Sequence, residues 1–316
     1  MLRLPRPLPV LALPDGTIYN FPDGKPLHFP GLDCAGFKTA CGSWLVFLRE
    51  DDCFLVDPFA GTTVTLPALS RVRLIPPDAV PTYVQFGTMI MFHPFATWLH
   101  IIQPNKTPVM NKLILCSPNL VAALAGSTIS SAGQNSQIIV CKPGAASWSV
   151  LANEKCQVFE DMAFYRGKLY VIAQDENLLV VNIGEDLSTG DPQVSQVEQV
   201  IKEAGSELVA GQSEFEVFKA DLEQSQWIKV TTLGDDQMLF LGRPCSRSVS
   251  TSRFGMPGDK IFFLDDIREN AFVEYTFEEE ITYVSAYNMR TGEVSSPLPM
   301  VWDRKMIPAA WLFPCD

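Results

Sequence analysis

Short apolar runs, each closed by Gly, Pro, Asp or Asn, follow one another along almost the whole chain, and helical periodicity is nearly absent. Runs of strand length at close and even spacing mark an antiparallel all-β chain, because branched and aromatic side chains suit a pleated surface and the punctuating residues suit turns. The pattern predicts strands over 44–48, 53–56, 64–66, 112–116, 137–141, 147–151, 168–173 and 178–183. It continues with 215–221, 226–231, 238–241, 260–264, 283–288 and 293–295. A ladder of this kind fits a sandwich, a barrel or a propeller.

A weak repeat decides among the three. Phe54-Leu-Val-Asp-Pro-Phe-Ala-Gly61 runs on to Leu66-Pro67, and Val284-Ser-Ala-Tyr-Asn-Met-Arg-Thr-Gly292 runs on to Leu298-Pro299. Each is a strand, a turn opened by Asp or Asn and closed by Gly, then a second strand. Residues 215–227 have the same outline without the Gly, and Trp148 follows Cys141-Lys-Pro-Gly144 in a comparable place. A second unit, Arg166-Gly-Lys-Leu-Tyr-Val-Ile172 and Gly258-Asp-Lys-Ile-Phe-Phe-Leu264, launches what reads as an inner strand. Units that cannot bury both faces alone stack as blades. At roughly 40–50 residues per blade the chain would hold six or seven. The expectation is one propeller over residues 1–316, with kelch-like four-stranded blades and one blade incomplete. One window departs from the strand rhythm: Val194, Val197, Val200 and Ile201 satisfy a helical period.

Charge and composition exclude several functions. With 24 basic and 36 acidic side chains the formal net charge is −12, which repels a phosphate backbone, and no basic stripe offsets it; no nucleic acid is expected. Residues 79–105 lack any charged side chain, but Pro81, Pro94 and Pro104 break the stretch. It reads as two buried strands, 83–92 and 95–102, joined at His93-Pro94, and no membrane partner is expected. The eight cysteines show no C-x-x-C pair and no signal segment precedes them, so reduced thiols in a cytoplasmic or nuclear protein are expected.

No cofactor, metal or catalytic residue is expected. His28, His93 and His100 are the only histidines, without ligand spacing. The acidic doublets Asp51-Asp52, Asp235-Asp236 and Asp265-Asp266 and the run at 278–280 read as turns and solvated edges. One basic cluster stands out. Arg243, Arg247 and Arg253 lie among Ser246, Ser248, Ser250, Thr251 and Ser252 in an otherwise acidic chain. Arg and hydroxyl donors on a propeller loop could hold an acidic or phosphorylated peptide; a solvated loop with a Ser-rich edge strand is the alternative.

Taken in order, Trp44-Leu-Val-Phe-Leu, the 54–61 unit, Cys141-Lys-Pro-Gly-Ala-Ala-Ser-Trp148, Phe159-Glu-Asp-Met-Ala-Phe-Tyr-Arg-Gly-Lys-Leu-Tyr170, Phe215-Glu-Val-Phe-Lys-Ala-Asp221 and Lys260-Ile-Phe-Phe-Leu-Asp-Asp266 resemble the plant KIB-type β-propeller family, formerly domain of unknown function 295. Leu13-Pro-Asp-Gly16 and Trp311-Leu-Phe-Pro314 fit too. The resemblance implies a strand, not a helix, over 194–201. It further implies a protein-interaction propeller of the kind that follows an F-box in substrate-recognition subunits of SCF ubiquitin ligases, some of which capture a signalling kinase. No F-box is detected ahead of the propeller motifs, so binding of Skp or cullin by this chain itself is not expected. Between Ile201 and Phe215 a family strand pair is shortened to Gly205-Ser-Glu-Leu-Val209. The expected function is non-catalytic protein binding; the alternative is an enzyme or small-molecule binder using the central channel.

Overall fold

The computed structural model describes residues 9–21, 23–49, 52–75, 82–86, 89–93, 109–126, 136–151, 159–173, 175–202, 216–253, 256–264, 282–300 and 309–314. Blade one takes β1 (Val10–Ala12), β2 (Ile18–Asn20) and β3 (Lys25–Leu27). Blade two is β4 (Thr39–Cys41), β5 (Trp44–Arg49), β6 (Asp52–Asp57) and β7 (Thr62–Leu66). Next come β8 (Val72–Ile75) and a separate hairpin of β9 (Thr82–Phe86) and β10 (Met89–His93). Blade three is β11 (Val109–Ser117), β12 (Leu120–Gly126), β13 (Ser136–Cys141) and β14 (Trp148–Leu151), with β8 added at its outer edge, parallel to β14. Blade four is β15 (Phe159–Tyr165), β16 (Lys168–Ala173), β17 (Leu178–Glu185) and β18 (Pro192–Ile201). A second hairpin, β19 (Val217–Asp221) with β20 (Gln226–Val230), precedes blade five. That blade holds β21 (Gln237–Leu241), β22 (Arg247–Ser250), β23 (Lys260–Leu264), β24 (Thr282–Asn288) and β25 (Val294–Met300). Finally β26 (Ala310–Leu312) returns to pair with β1, so strands from the two ends of the chain share blade one and close the ring.

The chain is therefore an all-β propeller. Among the described residues five sheets of four or five strands stand as blades, accompanied by two hairpins, where the repeat length suggested six or seven blades. The shortened segment expected between Ile201 and Phe215 lies outside the described residues, which resume just before the second hairpin. No helix among the described residues is long and apolar enough to cross a membrane.

The repeat seen in sequence is a hairpin with one recurring turn. Asp57 opens it: its side chain accepts the N–H groups of Phe59 and Ala60, and Gly61 N–H closes back on the Asp57 carbonyl at 2.8 Å. Gly61 sits at φ 64°, where a side chain is disfavoured. Asn288 with Gly292 and Asp186 with Gly190 repeat these bonds. Where the repeat lacks Gly, Ser225 takes the same left-handed place at φ 53° behind Asp221. The second unit is not uniform. Arg166-Gly167 is the two-residue turn of an antiparallel hairpin, whereas Gly258-Asp259 leads into β23, which runs parallel to β21. Its strands, β16 and β23, lie second and third in their sheets, so they are not the inner strands that the pattern suggested.

Of two further readings, the strand implied over 194–201 holds and the single strand over 83–92 does not. The window 194–201 is strand β18: Val194 and Ile201 are buried, and register shifts in the β17–β18 ladder let a non-alternating sequence keep its pairing. Residues 83–92 are not one strand. Phe86 at the end of β9 lies opposite Met89 at the start of β10, so the two are antiparallel strands of a hairpin, for which Gly87 was the available signal in the sequence. The expected strand 95–102 lies outside the described residues.

The core is divided between blades, as a propeller requires. Trp311, Phe21, Phe240, Phe262 and Phe47 fill the space joining blades five, one and two. Leu55, Leu113, Ile139 and Trp148 join two to three, and Leu124, Val140, Met162 and Val181 join three to four. Trp148 is fully buried and its Nε1–H donates to the Pro67 carbonyl at 2.8 Å, so a large polar-tipped ring is accommodated without an orphaned donor. Neighbouring contacts run from β26 to β4, from β4 to β11 and from β11 to β15, which makes these the inner strands around the centre.

Candidate functional site

The three arginines singled out in sequence are not one cluster. Arg243 lies in the connection from β21 to β22 and Arg247 begins β22, so the two bracket a short turn, both exposed. Arg253 ends a 3-10 turn beyond the far end of β22. The four-residue strand alone separates the two ends by roughly 10 Å. The hydroxyls around them are engaged within the fold. Ser246 Oγ donates to the Gly242 carbonyl and accepts from its N–H, Ser248 Oγ donates to Gln237, and Ser250 bonds Ser252.

The turn that carries Arg243 and Arg247 is anchored at the propeller's centre. Cys245 between them is buried, and its sulfur accepts the Gly42 N–H at 3.2 Å from the end of β4. Gly42 in turn takes the Phe313 N–H on its carbonyl at 2.8 Å. Phe313 also lies under Arg247, whose guanidinium carbon stands 5.8 Å from the ring centroid, within cation–π range. Blades two and five and the returning C-terminal strand thus meet at this one turn.

Beside it sits a polar centre that sequence reading missed. Lys112 on β11 is buried and pairs with Asp161 on β15, bridging the inner strands of blades three and four. Asp161 also takes the Met162 N–H at 2.7 Å. The Lys112 charge acts on both Cys41 and Cys245, and that of Asp161 on Cys245. Cys41 accepts the Leu115 N–H at 3.2 Å. Burial pushes its thiol up to about 12 and does the same to Cys116; burial also raises Cys245, against the pull of the Gly42 N–H and then of Lys112 and Arg247. These thiols are protonated at neutral pH, and a protonated thiol is a poor nucleophile. The signal available for the pair was a lone lysine in the apolar run Val109–Ser117, since a buried cation needs a carboxylate.

The other candidates have simpler places. Asp235 pairs with Arg290 across two turns of blade five, and buried Asp259 accepts from Thr232 Oγ, Leu233 N–H and Arg290 Nε. His28 is exposed and His93 ends β10, while His100, Asp51, the 265–266 doublet and 278–280 lie outside the described residues. Among the described residues no group of three or more His, Cys, Asp or Glu is placed to hold a metal ion.

A family model described as the KIB1-4 beta-propeller matches residues 10–288. No curated protein matches the sequence. Among solved structures, the AfRom2 CNH domain is similar at 13% identity, over 94% of this chain and 84% of that one, with a TM-score of 0.28.

Proposed function

The chain belongs to the KIB1-4 β-propeller family, and from that premise we propose that it is a non-catalytic interaction module that holds a protein partner on the Arg243–Arg247 turn. The turn itself carries this reading. Two exposed guanidiniums stand on a loop fixed by Cys245, Ser246 and Phe313, in a chain whose net charge is −12. A pre-set loop loses little conformational freedom on binding, and guanidinium forks match carboxylate and phosphate oxygens. The partner is a protein with an acidic or phosphorylated segment, such as a kinase or another signalling protein. The family resemblance extends the proposal to substrate recognition for a ubiquitin ligase, with Skp and cullin reached through another protein, in the cytoplasm or nucleus.

Affinity purification from plant extract with the wild type and with Arg243→Glu/Arg247→Glu tests both levels. A partner recovered with the wild type and reduced at least tenfold with the variant supports the Arg reading; equal recovery refutes it. Consistent absence of Skp and cullin removes the ligase role and leaves a free-standing binding protein. A small-molecule or enzymatic site in the channel is the second reading, and the polar Lys112–Asp161 centre favours it. A ligand that raises the melting temperature of the wild type but not of Asp161→Asn would support that alternative.

A further inference from the structure

Blades three and four are separated at one rim by a cleft of about 660 Å³. Leu120, Phe164 and Ile183 give it apolar surface, while Ser117, Asn119, Asn182 and its charged side chains make the larger, polar part of the lining. Its polar groups are unevenly placed. Lys142 is already engaged by Asp191 and by the carbonyls of Thr189 and Gly190. Lys168 on the β15–β16 side is exposed and has no ion-pair partner among the described residues, and Glu185 at the end of β17 is exposed as well. Next to Lys168, across Gly167, Arg166 lays its guanidinium 5.1 Å from the ring centroid of Tyr165, which is 49% exposed.

We propose that this cleft is a second docking site, distinct from the Arg243–Arg247 turn, for an extended segment of a partner protein. One apolar side chain of the segment fills the cleft, and acidic residues beside it meet Arg166 and Lys168. The volume lies within the range of ligand pockets, and a lining that sets some apolar surface among a larger number of polar groups can combine affinity with orientation. Charge complementarity selects the partner: the Tyr165–Lys168 turn carries two positive charges in a chain whose net charge is −12. Its aromatic and Arg residues are the types that dominate binding energy. The turn is stiff, because Arg166 at φ 48° and Gly167 at φ 77° form the two-residue reversal that hairpin twist favours. Glu185 repels acid on its own side, so the segment lies with its acidic residues toward β15 and β16.

Gly184 supplies a clean test. It lines the cleft on β17, its backbone does not take a left-handed conformation, and a Cβ built there meets no atom within 4 Å. Gly184→Trp therefore adds bulk to the cleft lining at a position where a Cβ has room, and Arg166→Glu/Lys168→Glu reverses the charge on an exposed turn. The purified full chain is probed with a positional-scanning decapeptide array, and the best peptide is titrated in solution by fluorescence anisotropy. Thermal melts check that each variant is folded. Selection of an aliphatic or aromatic residue with Asp or Glu within three positions is expected. Affinity should fall at least tenfold in the charge reversal, vanish in Gly184→Trp and stay unchanged in Arg243→Glu/Arg247→Glu. No selection, selection of basic flanks, or wild-type affinity in folded forms of both cleft variants would overturn the proposal. Loss confined to Arg243→Glu/Arg247→Glu would also overturn it, by assigning the peptide to the other turn.

Discussion

Removing Trp311 should loosen the ring where its two ends meet. β26 has only three residues and among the described strands pairs with β1 alone, so the side chains it buries must hold the closure. Trp311 is fully buried, with the rings of Phe21 and Phe240 edge-on at 5.5 and 5.0 Å, and its Nε1–H donates to the Leu241 carbonyl at 3.1 Å. Trp311→Ala loses this packing and leaves a cavity, which costs about 3–5 kcal/mol. Trp311→Phe keeps most of the aromatic volume but leaves Leu241 without its donor, about 1–2 kcal/mol. A melting entropy of about 2.1 cal/mol/K per residue gives roughly 1.5 °C per kcal/mol for a chain of this size. Thermal denaturation followed by circular dichroism should therefore show falls of about 5–8 °C for Trp311→Ala and about 2–3 °C for Trp311→Phe. Leu187→Ala, at a fully exposed position, serves as the control and should melt like the wild type. If Trp311→Ala melts within about 1 °C of the wild type, aromatic packing does not hold the closure. Equal falls in the two variants would place the cost in the hydrogen bond instead.

Two other perturbations separate backbone causes from electrostatic ones. A Cβ at Gly258 would lie 2.2 Å from the Asp235 carbonyl oxygen, so Gly258→Ala must displace backbone and should cost about 1–3 kcal/mol. Gly61→Ala meets open space and incurs only the left-handed penalty, about 1 kcal/mol. Urea midpoints should rank Gly258→Ala as the more damaging, and the reverse order would refute the clash. Asp186 is held down to about 2, first by the Ser188 hydroxyl, then by the N–H groups of Ser188 and Thr189, with Arg73 adding to them. Its folded value lies below the unfolded one of about 3.9, so the stability it contributes is present above pH of about 4 and is lost as pH falls toward 2. The melting difference between wild type and Asp186→Asn should accordingly be steady from neutral pH down to about 4 and shrink below that. A difference that does not change across this range would show that the charge of Asp186 adds nothing.

Local chemistry was legible in the sequence; choice of partner was not. The Asp57 and Asn288 turns were visible because an Asx side chain and a left-handed residue impose fixed spacing, and Ser225 shows that the outline holds even where Gly is absent. Strands such as Lys168–Ala173 and Lys260–Leu264 match their expected bounds, since the Gly of the turn ahead of them and the apolar run within them are both local. The parallel pairs β8–β14 and β21–β23 leave no such trace, because an apolar run does not record which edge it joins. Lys112 and Asp161 are 49 positions apart, so their pairing exists only once blades three and four are side by side.

The same distinction governs the charges, and it corrects what a net value suggests. A chain at −12 reads as repelling any acidic partner, yet among the described residues two sets of basic side chains meet different surroundings. Lys112, Arg73 and Lys142 face carboxylates across neighbouring elements, with Arg73 reaching Asp186 at 2.8 Å from the outer edge of blade three to a turn of blade four. These cations tie blades together, and their fields are largely cancelled where they stand. Arg247, Arg166 and Lys168 instead occupy turns, and no ion pair joins them to a carboxylate among the described residues. Screening over about 10 Å at 0.1 M salt hides the distant acidic surface from a ligand seated at such a turn, so the local sign decides what binds. Overall acidity acts at longer range, so at the two proposed turns it is the local basic sign that an acidic segment would meet.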